Sequence, residues 1–498
     1  MSVASAQNAK AGDSPYSGLD LQFIGGLWRP GRSNRNAVNL NPFDGSELGR
    51  VQLASREDVD AAYTAAKAAQ PAWAAVPPAE REAIIRRAVA IFDTRAEEIL
   101  GWLGRESGST VIKSHIELDA ARTITEYAAG FPGAVKGEML ACEPGMESRV
   151  YREPLGVIGI ISPWNFPLHL SVRSVAPALA LGNAVVLKPA SDTPFTGGTL
   201  IGKIFEEAGV PPGVMNVVIG SGAEIGDYFV EHEVPAFISF TGSTEVGKRV
   251  GQLATGGKFI KRVALELGGN APLVVLDDAD IEAAAGAAVF GRFLHQGQIC
   301  MSTNRVIVDE KIHDAFVAAV VERAGKLTFG DPLSPATNIG PAINKGQAEG
   351  VRAKIAKARA EGAVQVLGQD TEGNQIAPHI FTEVGPHFAL AREETFGPVL
   401  PIIKARDEAH ALELANDTEY GLSSAVYGQN IERAVAFARK IVAGMTHVNA
   451  ITVADHANAP FGGEKNSGLG RFNGHWILEE FTRPHWVTIH QNGPKFPF

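Results

Sequence analysis

Cysteine is almost missing from this chain: 498 residues contain two, Cys142 and Cys300. Two thiols cannot make a disulfide framework, so the fold has to rest on a hydrophobic core. There is no apolar run near the roughly 20 residues that a membrane-spanning helix needs. The opening stretch, MSVASAQNAKAGDSPYSG, has none of the apolar centre of a secretory signal, so the cytoplasm is the expected compartment. A basic excess is also lacking, with 45 Lys and Arg against 55 Asp and Glu and a net charge of -10. That balance argues against nucleic acid or an anionic membrane surface as the main partner and leaves small molecules and protein subunits. HExxH, CxxC and an acidic loop of calcium spacing are all absent, so no metal site is expected.

What is present is length and apolar content. With 45% apolar residues and 20% charged, the chain exceeds what one core usually supports, and two or three domains are expected. Residues 1–19, rich in Ala, Ser, Asn and Gly, read as a flexible tail. Ser55 with Asp58 three positions on predicts the start of a helix that runs to about Ala69, and Ile84, Ala88, Ile91 and Phe92 predict a second from Ala79. From Val157 the texture changes to short Val/Ile/Leu runs, GVIGIIS, AVVLKP, VMNVVIG, FISFTGS and APLVVL, separated by amphipathic stretches. Such alternation is what βαβ units with a buried parallel sheet look like, so the fold class is α/β with a doubly wound, Rossmann-like unit.

In that architecture ligands bind beyond the carboxyl ends of the strands, which directs attention to the residues after each run. Those are PWNFP at 163–167, KPAS at 188–191 and TGSTEVG at 241–247. The turn at Gly242 could hold a pyrophosphate on backbone N–H groups, or be an ordinary strand-to-helix turn. Lys188 is either a solvated charge or a ligand contact. Glu266, set among Val263, Ala264, Leu265 and Leu267, is either a desolvated base or an acid at a strand edge facing water. Cys300 is the candidate nucleophile, because a thiolate is reactive where most side chains are not. A helix from Asp280 is expected to run to His295, which at five residues before Cys300 would sit roughly 140° around that helix and be a poor base for the thiol.

After Met301 strands (RVIV, VLPII, SAVY, THVN) alternate with helices near 310–324, 344–361, 406–416 and 430–442, predicting a second α/β unit. Trp486-Val487-Thr488-Ile489 has strand character with little chain left to pair with, so it is expected to add to another subunit's sheet.

Seven stretches taken together, PWNFP (163–167), LKPAS (187–191), FTGSTEVG (240–247), LELGGN (265–270), GQIC (297–300), EETFGPV (393–399) and PFGGEKNSG (460–468), resemble in order and spacing the motifs of the NAD(P)-dependent aldehyde dehydrogenases. The resemblance covers nearly everything from Leu21 onward. It implies that Cys300 attacks the aldehyde, that Asn165 and the Cys300 backbone N–H hold the oxyanion, and that Glu266 activates the water that releases the acid. It also implies NAD or NADP as cofactor, with Lys188 on the adenosine ribose, Gly242 and Ser243 near the pyrophosphate, Glu394 on the nicotinamide ribose, Phe396 against the nicotinamide, and Ile161 and Trp164 lining the cleft. Glu266 favours hydrolysis over acyl transfer to coenzyme A, since acylating relatives generally lack it. A cysteine hydrolase would need a His partner that no motif supplies.

Two departures stand out. Ser191 replaces the glutamate that many strictly NAD-using members carry, which predicts that NADP is tolerated. Phe472 replaces a glutamate assigned to a proton relay in many members. The RFNG ending together with SPWNFPLHLSVRS and FLHQGQICMS looks closest to the aromatic branch, the benzaldehyde and vanillin dehydrogenases. By matching positions Phe166, Leu170, Arg173, Ile299, Met301, residues 451–457 and Phe461 would line the substrate tunnel. Arg173 is the unusual one and would engage a phenol, a methoxy oxygen or a carboxylate of the substrate, or else point to solvent or pair with a neighbouring acid. The implied domains are a cofactor unit (20–131 and 155–265), a catalytic unit (266–466), and an oligomerisation arm with a C-terminal segment (132–154 and 467–498, with Cys142 in the arm), assembling as a homodimer or homotetramer.

Overall fold

The computed structural model describes residues 15–493 and 496–498. Its first sheet is built on five parallel strands in the order Met215–Val217, Ala184–Lys188, Val157–Ile161, Phe237–Thr241 and Arg262–Glu266. Gln22–Ile24 and Gly468–Leu469 close it as antiparallel neighbours, so the chain returns at its far end to finish the sheet it began. Helices cover both faces, which is why these strands are apolar throughout instead of alternating.

A second sheet of seven strands runs Val364–Leu367, His379–Thr382, Val399–Ala405, Arg305–Asp309, Pro272–Val275, Ser423–Tyr427 and Met445–Val448, parallel except for its first member. The APLVVL run therefore belongs here, between Arg305–Asp309 and Ser423–Tyr427, and not with the apolar runs before it. Nothing in a single strand's composition says which sheet it will join. Both sheets are α/β, in line with the expected class.

Several local expectations need amendment. The first helix spans Arg56–Ala75, longer than expected, and carries Pro71 within it; the Ser55 N–H donates to the Asp58 carboxylate at 3.0 Å, as the capping pattern requires. Residues 1–14 of the expected tail lie outside the described residues. Beyond them the chain is held: the Tyr16 N–H donates to Glu98 at 2.7 Å, its hydroxyl to Glu207 at 2.5 Å, and the Arg95 guanidinium lies 3.7 Å from its ring centroid. The C-terminal strand finds its partner inside the chain, because Thr482–His490 pairs antiparallel along all nine residues with Met146–Pro154. That partner lies more than 300 residues earlier and is invisible to local reading.

One helix organises the site. Pro167–Ala180 is buried at every residue, and Pro167 at its first turn costs no hydrogen bond there. Its free N–H groups at Leu168 and His169 donate to the Glu117 carboxylate at 2.9 and 3.3 Å. Glu117 in turn pairs with Lys113, both fully buried, and Lys113 also donates to Ser109 at 2.8 Å. A negative charge at a helix N-terminus is favourable, and here the buried lysine balances it.

Candidate active site

Glu266 is the last residue of its strand in the first sheet, and the chain then turns through Gly268 and Gly269 toward the second sheet. A Cβ on Gly269 would lie 2.2 Å from the Cys300 carbonyl oxygen, so only glycine lets the two segments close up. Cys300 does not sit at a helix end as expected. The helix stops at Phe293, and His295, Gln296 and Gly297 follow in left-handed conformation with φ of 49, 57 and 71°. Angular arithmetic for a continuous helix thus fails for His295. It is fully buried, ring edge against Phe166 at 5.7 Å, and burial first, then the Lys113 charge, hold its pKa well below the ordinary histidine value. The turn is braced by the Gln296 amide, which donates to the Gly108 and Pro341 carbonyls at 3.1 and 2.8 Å.

Two cavities meet at Cys300. The first, about 250 Å³, is lined by Trp164, Gly242, Ser243, Glu394 and Phe396. The second, about 440 Å³, is lined by Phe166, Arg173, Ile299, Met301 and Phe461 together with Asp455 and His169. Asn165, Leu170, Thr241, Glu266 and Cys300 face both. The Asn165 amide donates to the Gln298 carbonyl at 2.9 Å, which fixes its orientation beside the thiol and leaves its second N–H free.

Burial dominates the electrostatics. Both Glu266 oxygens are buried without a hydrogen-bond partner, and desolvation pushes its carboxyl up to about 8, against the pull of Arg173. The Cys300 thiol is raised to about 12 by burial and by the charges of Glu394 and Glu266. Glu394 is raised to about 7 by burial, although its Oε1 accepts the Gly269 N–H at 2.8 Å. Lys188 is lowered to about 8 by burial; its amine touches only the Pro189 carbonyl, at 3.5 Å.

Of the sequence-predicted residues, Cys300, Asn165 and Glu266 come together at the junction of the cavities, and Trp164, Gly242, Ser243, Glu394 and Phe396 share the smaller one. Trp164 and Phe396 meet edge to face at 5.4 Å. Ile161 and Lys188 do not line that cavity; they are register partners at the carboxyl ends of neighbouring strands, with Ser191 exposed just beyond. All six residues expected around the substrate line the larger cavity, and Arg173 is buried, which removes the solvent alternative. Within 451–457, Thr452 and Ala457 do not line the cavity, and the Thr452 hydroxyl is 2.9 Å from that of Thr303 instead.

Asp455 falls within the expected lining 451–457, but its polar partners were missed: it bonds His169 at 2.9 Å and Asn473 at 2.5 Å, and Phe472 is fully buried with its ring 4.7 Å from the Arg173 guanidinium carbon. The available signal was the one acid in the stretch ITVADHANAP.

A thiol, an unpaired buried acid and an amide donor, set where a Rossmann-like sheet abuts a second α/β unit, define an oxidoreductase-type cleft. The chain belongs to the aldehyde dehydrogenase family, whose sequence model matches residues 28–487. It is 55% identical to the vanillin dehydrogenase of Corynebacterium glutamicum over 95% of this chain and 99% of that protein. It is 48% identical to a benzaldehyde dehydrogenase of Bacillus subtilis over 97% of this chain and 99% of that one. The crystal structure of an NAD-dependent benzaldehyde dehydrogenase from Corynebacterium glutamicum superposes with a TM-score of 0.89, at 52% identity, over 96% of this chain and 98% of that one.

Proposed function

We propose that this enzyme oxidises an aromatic aldehyde to the carboxylic acid with NAD as electron acceptor. The observation that carries the reading is the meeting of Cys300, Asn165 and Glu266 at the junction of two cavities, one walled by strand-end turns and one by apolar side chains. Names of relatives at 55% and 48% identity support the aromatic class, and a cavity of about 440 Å³ has room for a single substituted ring.

Cys300 Sγ adds to the aldehyde carbon while Glu266, with its carboxyl near 8, accepts the thiol proton. The resulting oxyanion is held by Asn165 Nδ2 and the Cys300 backbone N–H. NAD, when bound, supplies the acceptor for the hydride that leaves the former aldehyde carbon and a positive charge beside a thiol otherwise raised to about 12. Glu266 first passes the thiol proton to solvent; the thioester left on Cys300 is then attacked by water whose proton Glu266 takes and returns to the leaving sulfur, and the carboxylic acid departs as the thiol is restored.

The smaller cavity suits a dinucleotide. Gly242 presents no side chain, and a Cβ there would lie 2.6 Å from the Phe240 ring; Glu394 lines the cavity with its Oε1 accepting the Gly269 N–H, while Lys188 lies outside it at the end of its strand. Ser191 carries no charge to repel a 2′-phosphate, so NADP is accepted alongside NAD. Phe472 supplies no proton relay, and Glu266 exchanges its proton with water. Residues 20–131 and 155–265 form the cofactor unit and 266–466 the catalytic unit. The three-stranded sheet of Thr482–His490, Met146–Pro154 and Glu138–Met139 is the assembly arm of a homodimer or homotetramer, since Thr482–His490 keeps an open edge and exposes Trp486. Among the described residues no helix is long and apolar enough to cross a membrane, and a cytoplasmic location suits such an enzyme.

The test is growth of the reduced-nicotinamide absorbance with benzaldehyde and NAD in the absence of coenzyme A. Cys300→Ser is expected to lower turnover by a factor of about 10³ or more, because a hydroxyl is a far weaker nucleophile than a thiol. Full turnover by that variant, or a requirement for coenzyme A, would refute the reading.

A further inference from the structure

Arg173 is among the largest fully buried side chains of the described residues, yet none of its three guanidinium nitrogens has a hydrogen-bond partner. Its carbon Cζ lies 4.4 Å from the Phe461 ring centroid and 4.7 Å from that of Phe472, so two aromatic rings crowd the guanidinium without offering it a hydrogen-bond acceptor. The nearest acid, Asp455, stands with Oδ2 3.7 Å from Nη1, too far for a hydrogen bond. That carboxylate is held in place by His169 at 2.9 Å and Asn473 at 2.5 Å, and it retains unused lone pairs. Both groups line the larger cavity together with Cys300. A buried cation with five idle donors is costly unless a ligand completes it.

We infer that the gap between Arg173 and Asp455 is a subsite for a phenolic hydroxyl on the substrate ring, the oxygen accepting from the Arg173 guanidinium while the O–H donates to the Asp455 carboxylate. The assignment rests on the aldehyde-oxidising reading and deepens it to hydroxylated benzaldehydes. It explains the site's charge as well. Arg173 is already balanced by Asp455, so a substrate carboxylate would add a second anion against one guanidinium. A methoxy oxygen would accept from Arg173 but leave Asp455 facing a methyl group. Only a hydroxyl serves both partners.

The experiment compares kcat/KM for 3- and 4-hydroxybenzaldehyde, the corresponding methoxybenzaldehydes, 3- and 4-carboxybenzaldehyde and benzaldehyde, in the wild type, Arg173→Met and Asp455→Asn. Using ratios within each protein cancels general losses of activity. The better hydroxy isomer is expected to exceed benzaldehyde and its methoxy counterpart by about tenfold or more in the wild type, because a site built to bond a hydroxyl rejects analogues lacking it. Both variants are expected to bring that ratio near one. A wild type without hydroxyl preference, a carboxybenzaldehyde as the best substrate, or a preference that survives Arg173→Met overturns the subsite. Calorimetric binding of phenol against anisole to the wild type decides the matter without variants or turnover: phenol tighter by about tenfold supports it and equal binding refutes it. A wild type that reduces NAD with no aldehyde yet binds phenol selectively would break the reaction assignment and leave the subsite standing.

Discussion

The two cavities that meet at Cys300 are walled by different kinds of chain. The smaller is made of strand ends and the turns after them, Pro163-Trp164, Thr241-Gly242-Ser243 and Gly268, where main-chain geometry sets the shape. The larger is made of side chains from the buried helix Pro167–Ala180 and from a segment between Met445–Val448 and Glu464–Lys465 without regular structure. Shape set by main chain leaves glycines at fixed spacings. Shape set by side chains leaves almost any combination of residues that fills the space.

The sharpest way to break this contrast is at Glu266, which both cavities share. Glu266→Gln is expected to lower the release of acid by about 10² to 10⁴, and because Glu266 also takes the thiol proton, the burst of reduced cofactor should slow as well. In the wild type, acid release should rise with pH to about 8 and then level off, and the variant should lose that rise. The stability consequence has the opposite slope. The folded-state pKa of Glu266 is raised, so the folded protein keeps a proton that the unfolded chain has lost, and stability falls as pH climbs from the ordinary glutamate value toward about 8. Glu266→Gln should therefore melt higher than the wild type above that pH; an equal or lower melting temperature there would show that the carboxylate finds a partner when ionised.

A second test addresses the helix behind the larger cavity. Glu117→Gln leaves Lys113 buried without its counter-charge and is expected to destabilise the protein by about 3–5 kcal/mol, read as a lower urea midpoint. Because Glu117 also takes the N–H groups of Leu168 and His169, substrate-side kinetics should worsen before cofactor binding does. Equal losses on both sides would erase the distinction between the two walls. The smallest effect is expected at the rim: Ser191→Glu should raise KM for NADP about tenfold while that for NAD changes little. Unchanged discrimination would place the 2′ position elsewhere.

Legibility in the sequence split along the same line. The buried parallel strands were readable as continuous Val/Ile/Leu runs, and Trp164, Gly242 and Ser243 of the smaller cavity could be picked out because they stand just beyond the carboxyl ends of those runs, whereas Glu394 and Phe396 came from the family resemblance alone. The left-handed turn at His295–Gln296 was not, since non-glycine residues give no local sign of positive φ and depend here on Gln296 reaching Gly108 and Pro341. Pairing of Thr482–His490 with Met146–Pro154 was hidden by sequence distance. Arg173 could be singled out as unusual, but its burial depends on Phe461 and Phe472, far along the chain, closing over both faces. Asp455 fell within the expected lining 451–457, but its role was hidden for the same reason: it comes from His169 and Asn473, which sit on other elements.

The irregular segment that carries Ala450, Ile451, Val453, Ala454, Asp455 and His456 contributes much of the larger cavity's wall and nothing to the strands that seat Lys188 or Glu266. Its residues belong to no strand of either sheet, so exchanging them leaves sheet register and the glycine turns in place. For an enzyme lineage this is a separable inheritance: the redox machinery descends unchanged while a short run of replaceable positions lets descendants follow whichever aldehydes their habitat offers. For the engineer it marks where a library belongs.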